Sequence, residues 1–336
     1  AFIRIGSAFY SADGRIYVLR SLDGGRSWVD EGPVWKSKDD THSYSYSAPH
    51  ATYLGNGYVT LVASRMFRSS ADMLVHNPET GGARLSELVL FKSKDFGHTW
   101  SRPTLIDVAK GRVLDAPSQI INLDDGRWAL ACEQWKKWED PNPLHISGFW
   151  VFSDDEGTTW TEGMPMPSNS EAGIMFSHSR YTKMIDGRVA ALQWTQTTGG
   201  NKDLDLHLTM SDQRMNAWSE PAPTSIMGQT AWLADLGGGV LAAAYTLRDG
   251  MNPGIMVITS EDDGGSWDFD GQIMIWDAVE QEYLGVNQRP DYPASHQNLA
   301  YGKPNLTRLA DGNLICSWWC TQACVTHSRF AVLRLG

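Results

Sequence analysis

A short motif that recurs along the chain constrains its fold more than any other feature. The pattern S-x-D-x-G-x-x-W occurs four times intact, at residues 21–28, 93–100, 153–160 and 260–267, and a divergent copy lies at 211–218. In this pattern the aspartate can accept bonds from backbone N–H groups, the glycine supplies a positive φ, and the tryptophan pins the turn to a sheet. Each copy follows a strand-like run, so the motif predicts a tight turn between two strands.

A second turn signal alternates with the first and separates pairs of apolar, β-prone runs. It occurs at Asp13-Gly14, Asn56-Gly57, Asp125-Gly126, Asp186-Gly187, Gly237-Gly238 and Asp311-Gly312. The unit is therefore strand A, turn, strand B, longer loop, strand C, repeated turn and strand D. Radial repetition of four-stranded units predicts an all-β, six-bladed β-propeller, with five blades as the alternative. We expect residues 1–336 to form a single domain whose incomplete first and last units share a blade.

The charge of the chain limits its partners. The 336 residues carry a formal net charge of −11, so neither nucleic acid nor an anionic membrane is an expected partner. An anionic substrate requires arginines that gather locally against this field. No apolar run is long enough to span a bilayer, and there is no signal-peptide pattern at Ala1. A secreted or periplasmic location is the expectation, and the oligomeric state stays open.

The four cysteines leave their redox state open. Cys316 and Cys320 lie four residues apart, which places them on one face of a strand. Cys320 and Cys324 could close a small disulfide loop, but buried free thiols are an equal alternative. No C-x-x-C pair occurs, and we predict neither a metal site nor a cofactor.

The predicted topology places the starts of the A strands and the B–C loops on one face, at the mouth of the propeller. Glu133 ends the apolar run 129–132, where a carboxylate is costly unless it is paired or useful. Asp115 precedes strand A of the same blade, so the two carboxylates could face each other, as they do in glycosidic cleavage. The alternatives are a solvent-facing strand end for Glu133 and a loop cap for Asp115.

Basic side chains lie at the same predicted mouth. Arg65 and Arg68 could hold an anionic group bidentately, or could be solvated loop charges. Arg180 either pairs with a buried acid or reaches into the channel. His50 and His178 are proton carriers or metal ligands, with core polar groups as the alternative. The other two substrate-binding candidates are Arg248 and Lys303.

Together, the repeated turns resemble those of the sialidase (neuraminidase) superfamily, the BNR or Asp-box repeat proteins, over nearly the whole chain. The resemblance implies a propeller with a tyrosine nucleophile, an aspartate acid/base and three arginines that bind the substrate carboxylate. Asp72, in the loop after the first full B strand, matches the acid/base position. Tyr301, which opens the last A strand ahead of the turn at Asp311-Gly312, matches the nucleophile.

The chain departs from the family pattern at the arginines. Ser47-Ala48-Pro49-His50 stands where the first arginine belongs, and Arg4 lies too close to the first repeated turn to replace it. Gln193-Trp194 replaces a further arginine. We therefore predict no cluster of three arginines converging on one point, and negligible release of sialic acid.

The predicted function is a sialidase-like glycoside hydrolase that acts on an acidic sugar other than sialic acid. Its catalytic candidates are Asp72, Asp115, Glu133 and Tyr301. We expect Glu133, Asp115, Arg180, Tyr301 and Arg65 to line one pocket. The alternatives are a non-catalytic carbohydrate-binding propeller and a polysaccharide lyase.

Overall fold

The computed structural model describes residues 1–7, 10–36, 44–200, 202–250, 252–285 and 299–334. Over these residues the chain forms 23 β-strands and one short 3-10 helix, Ser170–Ala172. The strands make six antiparallel sheets, one for each blade. The predicted all-β, six-bladed β-propeller is therefore confirmed. Among the described residues, no helix is long and apolar enough to cross a membrane.

The chain divides into two compact units, and each contains three of the sheets. The first unit contains Ala1–Leu22 and Arg26–Met166, and the second contains Asp23–Gly25 and the described part of residues 167–336. That residues 1–336 form a single domain stays a prediction.

The first unit contains one three-stranded sheet and two larger ones. Its first sheet has β1 (Phe2–Ile5), β2 (Arg15–Arg20) and β3 (Val29–Pro33). The second has β4 (Tyr44–Gly55), β5 (Tyr58–Phe67), β6 (Glu87–Ser93) and β7 (Thr104–Ile106). The third has β8 (Val113–Pro117), β9 (Ile121–Asn122), β10 (Trp128–Trp135), β11 (Ser147–Ser153) and β12 (Thr161–Pro165).

The second unit contains two four-stranded sheets and one three-stranded sheet. The fourth sheet has β13 (Ile174–Lys183), β14 (Val189–Thr197), β15 (Asp205–Met210) and β16 (Ala222–Met227). The fifth has β17 (Ala231–Gly237), β18 (Val240–Leu247), β19 (Gly254–Ser260) and β20 (Ile273–Asp277). The sixth has β21 (Tyr301–Arg308), β22 (Leu314–Gln322) and β23 (Val325–Leu333).

The two end sheets differ from the sequence-based expectation. Each terminus has its own three-stranded sheet, so the ends do not share a blade within the described residues. The repeated turn at 21–28 follows β2, so β2 is strand C of the predicted unit. This sheet therefore has strands B, C and D and lacks strand A. Asp13-Gly14 therefore lies in the loop between strands B and C, which are β1 and β2. It does not form the predicted A–B hairpin.

The repeated turns are held by their own side chains. In the copy at 93–100, the Ser93 hydroxyl donates to Asp95 Oδ1 at 2.7 Å and accepts from the Gly97 N–H at 2.9 Å. Asp95 Oδ1 also accepts from the Thr99 N–H at 2.9 Å, and Trp100 Nε1 donates to the Gly97 carbonyl at 3.0 Å. The side-chain hydrogen bonds of this turn are local, which explains why the sequence predicts it well.

Each pair of consecutive sheets within a unit encloses a hydrophobic core. In the first unit, Leu88 and Leu90 of the second sheet pack with Leu130 and Val151 of the third. In the second unit, Leu192 of the fourth sheet packs in one cluster with Leu233 and Ile258 of the fifth. Truncating such a buried leucine to alanine costs about 2–5 kcal/mol, so these cores fix the blade edges from which the polar side chains project.

Candidate active site

The first strands of three sheets carry the same irregularity. The register shifts between Ser47 and His50 in β4, between Ser177 and Arg180 in β13, and between Gly302 and Asn305 in β21. At each shift a residue other than glycine takes a positive φ: Ala48 at 48°, His178 at 48° and Lys303 at 55°. A bulge changes the direction of side chains and is common beside active sites. At these bulges the strands therefore present polar side chains where a regular strand would continue its backbone hydrogen bonding.

A pocket of about 600 Å³, including its open mouth, lies in the first unit. It is lined by residues of all three sheets of that unit and by the loop between β5 and β6. Among its lining residues are Arg4, Tyr10, Tyr46, Arg65, His76, Arg84, Asp115 and Trp135. Within this unit, the start of β4, the end of β5 and the β5–β6 loop therefore share one face, as the topology predicts.

Asp115 and Glu133 form a carboxylate pair at this pocket. A carboxylate oxygen of Asp115 lies within 4.8 Å of one of Glu133. Asp115 is half-buried and lines the pocket, whereas Glu133 is 2% exposed on β10. The pair therefore places two carboxyl groups at one point of the pocket wall. Carboxylate oxygens are also ligands for hard cations, so this pair is the part of the pocket that could contact a metal ion.

Three arginines line the same pocket. Arg4 donates from Nε to the Tyr46 carbonyl at 3.1 Å, and Arg84 donates from Nε to the Leu74 carbonyl at 2.8 Å. Arg65 donates to Glu87 at 2.7 Å; burial acts most strongly and lowers the pKa of Arg65, but the hydrogen bond and the charge of Glu87, with Tyr46 and Tyr44, together raise that pKa. Three arginines therefore line one pocket, and each is tied to a protein acceptor; that no three arginines converge on one point stays a prediction.

Aromatic side chains form part of the pocket wall. The rings of Tyr10 and His76 lie 4.8 Å apart, and Trp135 meets His76 edge-on at 6.0 Å. Trp135 Nε1 donates to the Gly81 carbonyl at 2.9 Å, which fixes its ring. Rings held in this way offer apolar faces of the kind on which sugars stack.

The other predicted residues of the first unit lie outside the lining of this pocket. Asp72 is exposed in the loop after β5. Arg68 is buried, donates to the Tyr10 carbonyl and contacts Met66 Sδ at 3.6 Å. His50 is buried at the bulge of β4. These placements favour structural roles for Arg68 and His50.

A carboxylate in the second unit has a different environment. Asp203 Oδ1 accepts from Trp194 Nε1 at 2.7 Å and from Gln196 Nε2 at 3.0 Å. Its other oxygen accepts from Gln229 Nε2 at 2.7 Å. The ring of His178 stacks on Trp194 at 6.1 Å. Three N–H donors thus satisfy Asp203 and hold the polar ends of β14 and its loop in place.

Tyr301 occupies a hydrophobic core of the second unit. It is 5% exposed, its ring lies 4.9 Å from that of Trp276, and its hydroxyl donates to the Leu247 carbonyl at 2.6 Å. Burial raises the pKa of Tyr301 to about 12. A nucleophile must lose its proton easily, and this hydroxyl has a raised pKa and is bonded to the Leu247 carbonyl, so this placement does not fit the role implied by the sialidase resemblance.

The remaining predicted residues are also in the second unit. Arg248 donates to the Tyr301 carbonyl, and burial lowers the pKa of Arg248 to about 10. Arg180 is 2% exposed on β13, and the Lys303 N–H donates to Thr246 Oγ1 at 3.2 Å. Of the five residues expected in one pocket, Arg65 and Asp115 line the pocket of the first unit and Glu133 lies beside it, while Arg180 and Tyr301 belong to the second unit.

All four cysteines are free thiols, so the disulfide alternative for Cys320 and Cys324 does not apply. Cys320 Sγ lies 3.3 Å from His327 Nε2 on the adjacent strand β23. Cys324 is exposed in the turn that follows β22. The thiols at 132, 316 and 320 are buried.

Sequence reasoning missed several residues of these sites. Arg4 lies too close to the first repeated turn to match the family position, and Arg84 and His76 lie in a long loop that carries no repeat. Asp203 follows β14 in a loop without a motif. The one available signal was the unusual length of the β5–β6 connection, because long loops in compact folds are often functional.

Comparison with known proteins supports the fold. No family model and no curated protein matches the sequence. A solved structure of unknown function from Dyadobacter fermentans has a TM-score of 0.71 at 15% identity, over 99% of this chain and 87% of that chain. The Hadza microbial sialidase Hz136 has a TM-score of 0.65 at 16% identity, over 98% of this chain and 61% of that chain. A GH43 β-1,3-galactosidase, BT3683, has a TM-score of 0.55 at 10% identity, over 91% of this chain and 95% of that chain.

These similarities extend over almost the whole chain at low identity, so they establish the fold alone. The structural neighbours include sialidases and other glycoside hydrolases with a propeller fold. The chemistry of this chain depends on its own side chains, because one fold supports many functions.

Proposed function

We propose that this propeller is a glycoside hydrolase whose active site is the pocket of the first unit. The observation that carries the proposal is the Asp115–Glu133 pair, with carboxylate oxygens within 4.8 Å of each other. Glycoside hydrolysis generally needs two carboxyl groups at the scissile bond, one that is ionised and one that delivers a proton.

The spacing of the pair favours a retaining mechanism. Retaining enzymes hold their carboxyl groups about 5–5.5 Å apart, whereas inverting enzymes leave about 6.5–9.5 Å for a water molecule. We assign Asp115, which lines the pocket, as the nucleophile that attacks the anomeric carbon. Glu133 protonates the leaving oxygen as the glycosidic bond breaks. It then takes a proton from water, which attacks the same carbon and releases Asp115.

The charge of the pocket favours an acidic sugar. Arg4, Arg65 and Arg84 line it; Arg65 is paired with Glu87, whereas Arg4 and Arg84 bond to backbone carbonyls. Guanidinium groups gathered in a chain of net charge −11 offer an anionic sugar a local binding point. Because the Nε of each arginine already bonds to the protein, the guanidinium groups are held in place before a substrate binds.

A screen with matched variants tests this proposal. Aryl glycosides and acidic oligosaccharides are assayed with wild type, Glu133→Gln, Asp115→Asn and the control Asp72→Asn. We expect at least one substrate to be cleaved, the first two variants to lose about a thousandfold in kcat, and Asp72→Asn to retain activity. Full activity in Glu133→Gln and Asp115→Asn would reject the assignment.

A polysaccharide lyase is the second candidate, because His76 and Tyr10 lie 4.8 Å apart in the same pocket as the arginines. A lyase could use one of these rings as the base and an arginine to neutralise a uronate. Its products carry a new carbon–carbon double bond and absorb ultraviolet light, whereas hydrolysis products do not. The same screen therefore separates the two reactions.

A further inference from the structure

A second groove adjoins the pocket on the first unit. It encloses about 780 Å³, including open solvent, and shares Ala83, Arg84 and Val113 with the pocket. Its remaining lining residues are Leu85, Gly111, Lys137 and Trp138. The pocket therefore continues along the surface, so a ligand longer than one sugar could extend from it.

Two loops form this groove and brace each other. The Ala83 N–H donates to the Lys136 carbonyl at 3.0 Å, and the Thr80 hydroxyl donates to the Trp138 carbonyl at 2.6 Å. At Gly82 a Cβ would lie 2.0 Å from the Lys137 carbonyl oxygen, so this approach needs glycine. The side chains of the run Trp135-Lys136-Lys137-Trp138 are thus presented on a fixed backbone.

The groove presents two cations. The Arg84 guanidinium lies 4.0 Å from the centre of the Trp138 ring, and its Nε donates to the Leu74 carbonyl. The Lys137 side chain is exposed. Neither cation has a carboxylate partner in the part of the chain that the structure describes, and no acidic residue lines the groove. Ring stacking orients the guanidinium and leaves its terminal nitrogens available for an anion.

The groove adds a cation to those of the pocket. Arg84 lines both and Lys137 lines the groove, while Asp115 and Glu133 lie at the pocket and Glu87 is paired with Arg65. Beside these charges, Leu85 is 59% exposed and offers an apolar contact in the same groove. Cations next to apolar side chains match a sugar ring that carries an acidic group.

We propose that this groove is a binding subsite for an anionic sugar residue, a uronate or a sulfate ester. The next sugar residue of the same oligosaccharide occupies the pocket. This inference rests on the proposed glycosidase function and extends it, because it makes the substrate an acidic oligosaccharide or polysaccharide. Arg84 binds the anionic group in a bidentate manner, and Lys137 adds a second, flexible charge.

Binding measurements on the inactivated protein test the subsite separately from catalysis. Calorimetry with Glu133→Gln compares tetragalacturonate, a sulfated κ-carrageenan tetrasaccharide and neutral cellotetraose. We expect at least one anionic chain to bind about tenfold more tightly than the neutral one, with an affinity that falls as salt is added. The anionic probe that binds identifies the acidic group as carboxylate or sulfate.

Charge reversal at Lys137 tests whether the anionic oligosaccharide binds in the groove. In the Glu133→Gln background, Lys137→Glu is expected to lower the affinity for it about tenfold, while Lys137→Arg retains binding. Lys94→Glu is the control, because Lys94 is exposed in the repeated turn at 93–100 and produces the same change in net charge. Equal loss in Lys137→Glu and Lys94→Glu, or equal affinity for anionic and neutral chains, would overturn the subsite.

The two proposals can fail independently. If wild type cleaves a substrate with the expected loss in Glu133→Gln but anionic chains show no preference, the subsite is wrong and the glycosidase stands. If anionic chains bind through Lys137 but Glu133→Gln is as active as wild type, the catalytic assignment is wrong.

Discussion

Each unit has a carboxylate beside the end of a blade's second strand, Asp115 beside β10 and Asp203 after β14, and the two environments differ. In the second unit, Asp203 is satisfied by three N–H donors, from Trp194, Gln196 and Gln229. In the first unit, Asp115 has another carboxylate, Glu133, within 4.8 Å. In the first arrangement three N–H donors hold the carboxylate in place, and in the second two carboxyl groups lie close together at a pocket. The difference shows that a similar blade edge can serve structure in one unit and chemistry in the other.

The largest expected effect separates these two carboxylates. Glu133→Gln keeps the shape of the side chain and removes its ionisation, so kcat should fall about a thousandfold. Asp203→Asn should lower kcat less than about tenfold, because Asp203 acts only through its hydrogen bonds. Steady-state kinetics on the best substrate from the screen provide the comparison. A larger loss in Asp203→Asn would move the active site to the second unit.

Tyr301→Phe tests whether a tyrosine nucleophile exists at all. The hydroxyl of Tyr301 donates to the Leu247 carbonyl, so its removal should cost about 1 kcal/mol of unfolding free energy and leave kcat almost unchanged. Denaturant unfolding and kcat are measured on the same preparation. Abolished turnover in a variant that unfolds like wild type would restore the nucleophile role.

The structural role of Asp203 predicts a stability effect of intermediate size. The substitution Asp203→Asn would set an amide N–H₂ against at least one of the three donors, so this variant should lose about 2 kcal/mol of unfolding free energy. Thermal and denaturant melts measure this loss. An unchanged melt would show that the network contributes little and that Asp203 is retained for another reason.

A smaller effect concerns the repeated turns. The side-chain hydrogen bond from Thr159 is the main cause that lowers the pKa of Asp155 from 3.8 to about 2. Because this pKa is depressed in the folded state, the stabilisation is complete above about pH 4 and is lost as the pH falls through about 2. Asp155→Asn should therefore lower Tm by about 3 °C at pH 7 and by less at pH 2. An equal difference at both pH values would contradict the linkage.

The smallest expected effect is on thiol reactivity. Burial raises the pKa of Cys316 to about 12, and Cys132 and Cys320 are also buried, whereas Cys324 is exposed. Native protein should therefore react rapidly with one equivalent of a thiol reagent, and Cys324→Ser should remove that reaction. Fast modification of a second thiol in the native state would show that a sheet opens, the third sheet for Cys132 or the sixth for Cys316 and Cys320.

The sequence predicts the fold better than the site for a physical reason. The turns at 93–100, 153–160 and 260–267 satisfy their own backbone groups, so a short motif determines them. Asp115 and Glu133 could be proposed because topology alone places the start of an A strand beside the end of its B strand. Arg84 could not, because its position depends on how a loop of 19 residues between β5 and β6 packs, and no local pattern encodes that packing. Arg4 could not, because its position depends on contacts with Tyr46 and Ser11 outside its own strand.

The central claim is that Asp115 attacks the sugar while Glu133 handles the proton. The most direct measurement uses a 2-deoxy-2-fluoro analogue of the best substrate from the screen, which traps the covalent intermediate of a retaining enzyme for peptide mapping by mass spectrometry. We predict one labelled site, at Asp115, and faster trapping in wild type than in Glu133→Gln. A label on Tyr301 or Asp72 would contradict the account.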